Sequence, residues 1–303
     1  MNAIVGYTGF VGSNLYFPER FQAAYNSKNI ENAYGTQPDL LIYSGVRAEK
    51  YLANNEPEKD LRNIKQAETN IQRINPNKLV LISTIDVFKT PIGVDETASI
   101  ETDGLHPYGY NRYLLEQWVR ANYPDALIVR LPGLFGKNLK KNFIYDFINV
   151  IPSMLKDEKF SELAEKDHRL RQYYVNQKNG FWKAVVSDDE RETVKKLFLH
   201  LGFSALNFTD SRSRFQFYNL SRLWNDIQIA LKNNLQLLHL ATEPITVSEL
   251  YQFLTGKSFE NEISAVPADY DFRTDHGLLY GINSNYLCDK ETVLREIKKF
   301  VNQ

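Results

Sequence analysis

Cysteine is almost absent from this sequence: Cys288 stands alone among 303 residues. A single thiol excludes intrachain disulfides and thiolate metal clusters, and it fits a reducing compartment. Net charge is nearly absent too, at −1 with 36 basic and 37 acidic residues. No overall field therefore draws nucleic acid or an anionic membrane surface to the chain. No apolar run approaches the roughly 20 residues that cross a bilayer. The histidines, His106, His168, His200, His239 and His276, lack metal-ligand spacing, so no metal is expected. Met1 and Asn2 run straight into the apolar Ala3-Ile4-Val5-Gly6, which leaves no room for a signal peptide. The expected location is the cytoplasm.

Short apolar runs recur at 3–6, 40–45, 78–84, 126–132 and 235–242, with a weaker one at 22–26. Near-continuous runs of this length suit strands buried on both faces of a parallel sheet. Between them, 56–74, 108–121 and 221–233 carry apolar residues at three-to-four spacing, as crossover helices do. The pattern predicts an α/β protein, a doubly wound parallel sheet of Rossmann type. It breaks near residue 143: 142–155 still reads as a helix, 156–213 is charged and helical in tone, and helices recur at 247–256 and 291–302. The expected division is a dinucleotide-binding domain, 1–143 plus about 214–244, and a smaller, mostly helical substrate subdomain, about 144–213 plus 245–303.

Gly6, Gly9 and Gly12 follow the first strand and open the first helix at G-x-x-G-x-x-G spacing. Such a turn is tight and brings the backbone close to a pyrophosphate at a helix start, so Gly6, Thr8, Gly9, Phe10, Val11 and Gly12 are candidate cofactor contacts. An acidic residue that grips ribose usually follows the second strand. Here the stretch reads Tyr25-Asn26-Ser27-Lys28-Asn29, with no carboxylate. Asn26, Lys28 and Arg47 become the candidates at that end, and NADP is slightly preferred over NAD. Thr84 ends the fourth strand, where a hydroxyl points into the ligand crevice. Tyr108 and Arg112 lie four apart at the start of the next helix, on one face. A phenol beside a permanent cation is easier to ionise, as a proton-transferring tyrosine requires.

Together, GYTGFVGSNL, STIDVF, PYGYNR and IVRLPGLFG resemble the extended short-chain dehydrogenase/reductase family, which acts on nucleotide-activated sugars. Within it, the compressed region after the second strand resembles the 4-keto-sugar reductases related to dTDP-4-dehydrorhamnose reductase. The likeness covers roughly 1–145 and returns near 214–250, while 156–212 matches nothing. It implies a NAD(P)-dependent oxidoreductase of nucleoside-diphosphate sugars, with Thr84 and Tyr108 at the reacting oxygen and epimerisation as the neighbouring alternative. Arg112 stands where the family carries lysine, and an arginine is bulkier, planar and never neutral. That departure keeps a different class open, a dinucleotide-binding or sensor protein without turnover. Asp86 stands near an acid found in some dehydratases; Asn142, Arg214 and Arg273 are candidates for the sugar diphosphate, with Asp210 an alternative partner for Arg214. Family members often dimerise through the helices corresponding to 56–74 and 113–123, so a homodimer is one expected arrangement.

Overall fold

The computed structural model describes residues 1–303 and divides into two units. The larger comprises Met1–Leu139, Arg214–Ile245 and Asp269–Asn302; the smaller comprises Lys140–Ser213 and Thr246–Ala268.

The larger unit is built on a six-stranded, wholly parallel sheet. Its strands are β1 (Asn2–Val5), β2 (Ala23–Tyr25), β3 (Leu40–Tyr43), β4 (Leu79–Thr84), β5 (Leu127–Leu131) and an edge strand, Leu237–His239. They lie in the order β2-β1-β3-β4-β5-edge, so chain direction across the sheet reverses at β1, and the crevice beyond its carboxyl end is where ligands bind in such sheets. Every residue of β5 is buried, as the continuous apolar run requires.

Four helices frame the part of this unit that concerns the site: α1 (Phe10–Leu15), α2 (Lys50–Asn55), α3 (Pro57–Ile74) and α4 (Pro107–Asn122). Ile64, Ile71 and Ile74 of α3 and Leu115 and Val119 of α4 pack on one sheet face with Val5, Leu41, Leu81 and Ile128. Each such side chain contributes roughly 1.5–3 kcal/mol by leaving water. On the other face Leu15 joins Leu223, Ile227 and Ala230 of the helix Leu223–Lys232. Ile64, Ile71, Ile74 and Leu115 of the two helices expected at a dimer contact are thus buried in the chain's own core, and Leu61 and Trp118 pack partly against it.

Residues 269–302 belong to the larger unit, whereas the sequence pattern assigned all of 245–303 to the smaller one. Backbone hydrogen bonds hold them there: Leu287 N–H donates to the Ala241 carbonyl, and Asp271 N–H to that of Pro91. In the smaller unit a three-stranded antiparallel sheet, 154–156, 174–176 and 181–184, occupies a stretch that reads as helical by composition. The helix expected over 142–155 stops at Ile148, ahead of Pro152, because a residue before proline is pushed toward extended backbone. This unit has its own core, in which Phe160 stacks on Trp182 with ring centres 3.8 Å apart.

A buried polar network runs beneath β4 and β5. Glu116 of α4 accepts Nη2 of Arg130 at 2.6 Å and the Ser83 hydroxyl at 2.5 Å. Arg130 Nη1 meets His239 Nε2 at 3.1 Å, and His239 Nδ1 lies 2.9 Å from the Arg273 carbonyl. This pairing fits a neutral imidazole that donates from Nδ1 and accepts at Nε2. Burial, reinforced by Arg130, lowers the His239 pKa from 6.5 to about 3. The unfolded chain takes up a proton that the folded state refuses, so this contribution is complete above pH 6.5 and is lost as pH falls toward 3. The slope is at most about 1.4 kcal/mol per pH unit. His239→Asn should melt lower at neutral pH yet lose less between pH 6.5 and 4.5 than the parent does, by calorimetry at stepped pH. Parallel melting curves across that range would remove His239 as the cause.

Candidate active site

The turn from β1 into α1 is closed by glycine. Gly6 has φ +88°, and a Cβ placed on Gly12 would stand 2.1 Å from the Gly6 carbonyl oxygen. The first turn of α1 therefore lies directly on the strand-end backbone, which no side chain at position 12 permits. Gly9 precedes α1 with no side-chain cap, leaving the helix-start N–H groups to meet an acceptor from outside. Thr8 is exposed, and Phe10 and Val11 are half-buried against the core. After β2, Asn26 Oδ1 accepts the Lys28 N–H at 2.9 Å and its own N–H donates to Asn29 Oδ1 at 2.7 Å. That local turn leaves Lys28 exposed, and Arg47 after β3 is exposed as well.

Thr84 and Tyr108 meet. Tyr108, in the first turn of α4, is 7% exposed, and its phenol lies near enough to the Thr84 side chain for that hydroxyl to favour its ionised form. Three features set this approach. Pro107 and His106 start the helix, with His106 Nδ1 accepting the Gly109 N–H at 3.0 Å in place of a serine or threonine cap. Gly109 lies so close to the loop after β4 that a Cβ there would stand 2.0 Å from the Asp86 carbonyl oxygen. Asn54 of α2 accepts the Tyr108 N–H at 3.0 Å.

Arg112 does lie on the phenol face, with its guanidinium carbon 3.9 Å from the ring centre. The expected electrostatic outcome does not follow. Arg112 forks onto Asp60 of α3, Nη1 to Oδ2 at 2.5 Å and Nη2 to Oδ1 at 2.9 Å, with both side chains almost fully buried. Its remaining Nη hydrogens go to the carbonyls of Tyr108 at 3.1 Å and Arg47 at 2.6 Å. Burial pushes the Tyr108 phenol above its ordinary value, Arg112 and Thr84 pull it down, and Asp86 and Asp60 push it up; the net direction is upward. The phenol is held protonated rather than made easy to ionise.

Asp86 is held by two side chains. Lys50 Nζ donates to its Oδ1 at 2.9 Å and the Tyr270 hydroxyl donates to the same oxygen at 3.0 Å. Tyr270 N–H donates to the Arg214 carbonyl at 3.0 Å, and the Tyr270 ring stacks on Phe215 at 5.8 Å. The Arg214 fork closes on Asp269, at 2.5 and 3.0 Å, and not on Asp210, which Arg212 takes at 2.8 Å. Arg273 is half-buried and reaches Asp271 only at 3.9 Å. In the smaller unit, Asn142 has φ +99° and its Oδ1 accepts the Tyr145 N–H at 3.1 Å, capping the helix Phe143–Ile148.

Three residues at this centre escaped sequence reasoning: Lys50, Asp60 and Tyr270. Asp60 carried a signal, because 60, 64, 67, 71 and 74 form the buried stripe of α3 and a carboxylate on such a stripe needs a partner. Lys50 and Tyr270 carried none: Lys50 opens the short helix α2, Tyr270 lies outside any helix or strand, and each meets Asp86 only through the fold.

No protein-family model matches the chain, and no curated relative does. Solved structures do. The dTDP-4-dehydrorhamnose reductase of Bacillus anthracis, in complex with NADP, is 17% identical over 100% of this chain and 98% of its own, at a TM-score of 0.64. The Yersinia enterocolitica reductase of the same name is 12% identical over 99% and 98%, at 0.65. A UDP-N-acetylglucosamine 4-epimerase from Methanobrevibacter ruminantium, in complex with UDP-N-acetylmuramic acid, is 11% identical over 99% and 96%, at 0.63. This chain has their fold. The likeness runs end to end, so it includes the smaller unit, where residues 156–212 gave no resemblance in sequence. No helix is long and apolar enough to cross a membrane, and no group of three or more histidine, cysteine or acidic side chains is placed to hold a metal ion.

Proposed function

We propose that this chain is a NAD(P)-dependent enzyme of the extended short-chain dehydrogenase/reductase family that reduces a 4-keto group on a nucleoside-diphosphate sugar in the cytoplasm. The observation that carries the reading is the meeting of Thr84 and Tyr108 at the carboxyl end of β4, in a parallel sheet whose first turn is a glycine cradle. The NADP of the Bacillus reductase and the nucleotide sugar of the Methanobrevibacter epimerase, in chains of the same fold, support the two ligand classes.

Gly6, Thr8, Gly9, Phe10, Val11 and Gly12 would hold the pyrophosphate of the dinucleotide, since the uncapped start of α1 and the space a Cβ would fill both suit it. Asn26, Lys28 and Arg47 would meet the adenosine ribose; with no carboxylate among them a 2′-phosphate is not repelled, which favours NADP. The bound dinucleotide supplies the hydride. Tyr108 supplies the balancing proton to the carbonyl oxygen, which leaves as the alcohol, while Thr84 hydrogen-bonds the same oxygen. Arg214 and Arg273 are assigned to the sugar nucleotide, Arg214 by sharing the fork that Asp269 now occupies. A phenol held protonated can give a proton and is poorly placed to take one. Reduction is favoured over epimerisation by the compressed region between the second and fourth strands. One observation favours a protein without turnover: Arg112 is spent on Asp60 and has no free Nη hydrogen to offer a ribose.

Fluorescence titration with NADPH and with NADH tests the first half of the reading, and binding of neither would end it. Loss of NADPH absorbance with a panel of nucleotide 4-keto-sugars tests the second half; binding without turnover of any of them selects the silent alternative. Gly12→Ala should weaken dinucleotide binding by about tenfold or more, because the added methyl parts α1 from β1. Retained affinity in a folded Gly12→Ala protein would place the dinucleotide elsewhere.

A further inference from the structure

Two cations stand at the start of α4, and only one has the chemistry its position calls for. The Arg112 guanidinium is permanently charged and its charge is met by Asp60, 2.5 Å away. Lys50 lies on the other side, at the first position of α2, and its ammonium holds Asp86 at 2.9 Å. Asp86 is tied to the reacting pair by its backbone, since its N–H donates to Thr84 Oγ1 at 3.1 Å. Its negative charge acts directly on Tyr108. Lys50 and Asp86 also act, in opposite senses, on His106, whose ring centre is 6.2 Å from that of Tyr108. The groups facing this centre are thus Lys50 from α2, Asp60 from α3, Asp86 after β4, His106, Tyr108 and Arg112 from α4, and Tyr270 from the C-terminal stretch.

When Tyr108 gives its proton to a substrate oxygen, a phenolate appears beside the Asp86 carboxylate, and like charges this near oppose one another. Arg112 over the ring eases that phenolate, but its guanidinium is held by Asp60, and the cation paired with the Asp86 carboxylate itself is Lys50. We propose that Lys50 is the working cation of this site: a positioning residue whose ammonium holds and neutralises Asp86 so that Tyr108 can part with its proton. The inference rests on the reductase reading, and it moves the role of a lysine four residues after the tyrosine to a lysine on a different helix. Lys50 is suited to it: its side chain is 40% exposed against 18% for Asp86, so the carboxylate stays in the site while the ammonium exchanges with water.

The experiment compares Lys50→Met, Lys50→Arg and the double variant Lys50→Met/Asp86→Asn. Lys50→Met should lower kcat about tenfold or more with little change in KM, because one pKa unit at the phenol is a factor of ten. Lys50→Arg should restore most of it, since charge is what counts. The double variant should recover over Lys50→Met, since removing the carboxylate removes the need for the cation. A structural role for Lys50 predicts no such recovery. His106, followed by its imidazole proton resonances, reports the charges without any substrate: its midpoint should rise in Lys50→Met and fall in Asp86→Asn. An unmoved His106 in Lys50→Met, or full kcat in that variant, overturns the proposal. If the parent protein neither binds dinucleotide nor reduces any substrate, the reductase reading fails and this inference fails with it. Turnover by the parent, together with full kcat in Lys50→Met, defeats the inference alone.

Discussion

Replacing Tyr108 by phenylalanine is expected to lower turnover by a factor of about 10²–10⁴, the range over which a positioned proton donor acts. The substitution is clean. The ring stays beneath the Arg112 guanidinium, 3.9 Å from its centre, so the stacking that seats α4 persists. Only the hydroxyl, which faces Thr84, goes. Dinucleotide affinity, measured by fluorescence, should stay within a few-fold, because the glycine cradle is untouched. Thr84→Val should fall in the same direction and, combined with Tyr108→Phe, should add little, since both changes remove one hydrogen-bonded unit at one oxygen. Undiminished turnover in Tyr108→Phe would rule out a phenol as the proton source and send the search to the remaining hydroxyls near Asp86, of which Tyr270 is the nearest bound.

The second large effect is on stability. Glu116 is fully buried and Arg130 nearly so, and the guanidinium makes its bidentate contact at 2.6–3.3 Å. Glu116→Gln keeps the shape but leaves Arg130 without its counter-charge in the interior, at a cost of about 3–5 kcal/mol. For a chain of this size that corresponds to a fall in melting temperature on the order of 10 °C. Removing both charges, as Glu116→Leu/Arg130→Met, should cost much less than the single change suggests, because a buried pair replaced by apolar groups of similar size is often nearly neutral. Urea midpoints of the two singles and the double measure the coupling. A loss below about 1 kcal/mol in Glu116→Gln would mean that Arg130 finds another partner, His239 Nε2 at 3.1 Å being the one in place.

The sheet was legible because its signal is local. Six apolar runs became six strands, and the spacing within 56–74 and 108–121 became α3 and α4 to within two residues. The glycine turn was legible for the same reason, being three positions in one short loop. Tyr108, Thr84 and Arg112 were found by likeness to a motif, and the structure does bring the first two together. Partners were not legible. Asp60 and Arg112 are 52 positions apart, and Asp86 and Tyr270 are 184 apart. Periodicity tells which face of an element is covered and leaves open by what. Hence a cation beside a phenol read as an activating pair; the cation does pull that way, but the burial that outweighs it comes from the fold around the ring. The three-stranded sheet of the smaller unit failed differently, since strands of three or four residues are too short to show a period at all.

The Asp60–Arg112 fork has a consequence for how this site can change over generations. Arg112→Lys alone would leave Asp60 with half its contacts, and Asp60→Ala alone would leave a guanidinium stranded under α3. Each step by itself runs downhill in stability, and the pair Asp60→Ala/Arg112→Lys still leaves a buried cation without its carboxylate. The two positions are therefore coupled: the residue tolerated at 112 depends on the carboxylate at 60, and the reverse. The odd residue in PYGYNR is one half of a two-residue allele, and its other half lies on α3.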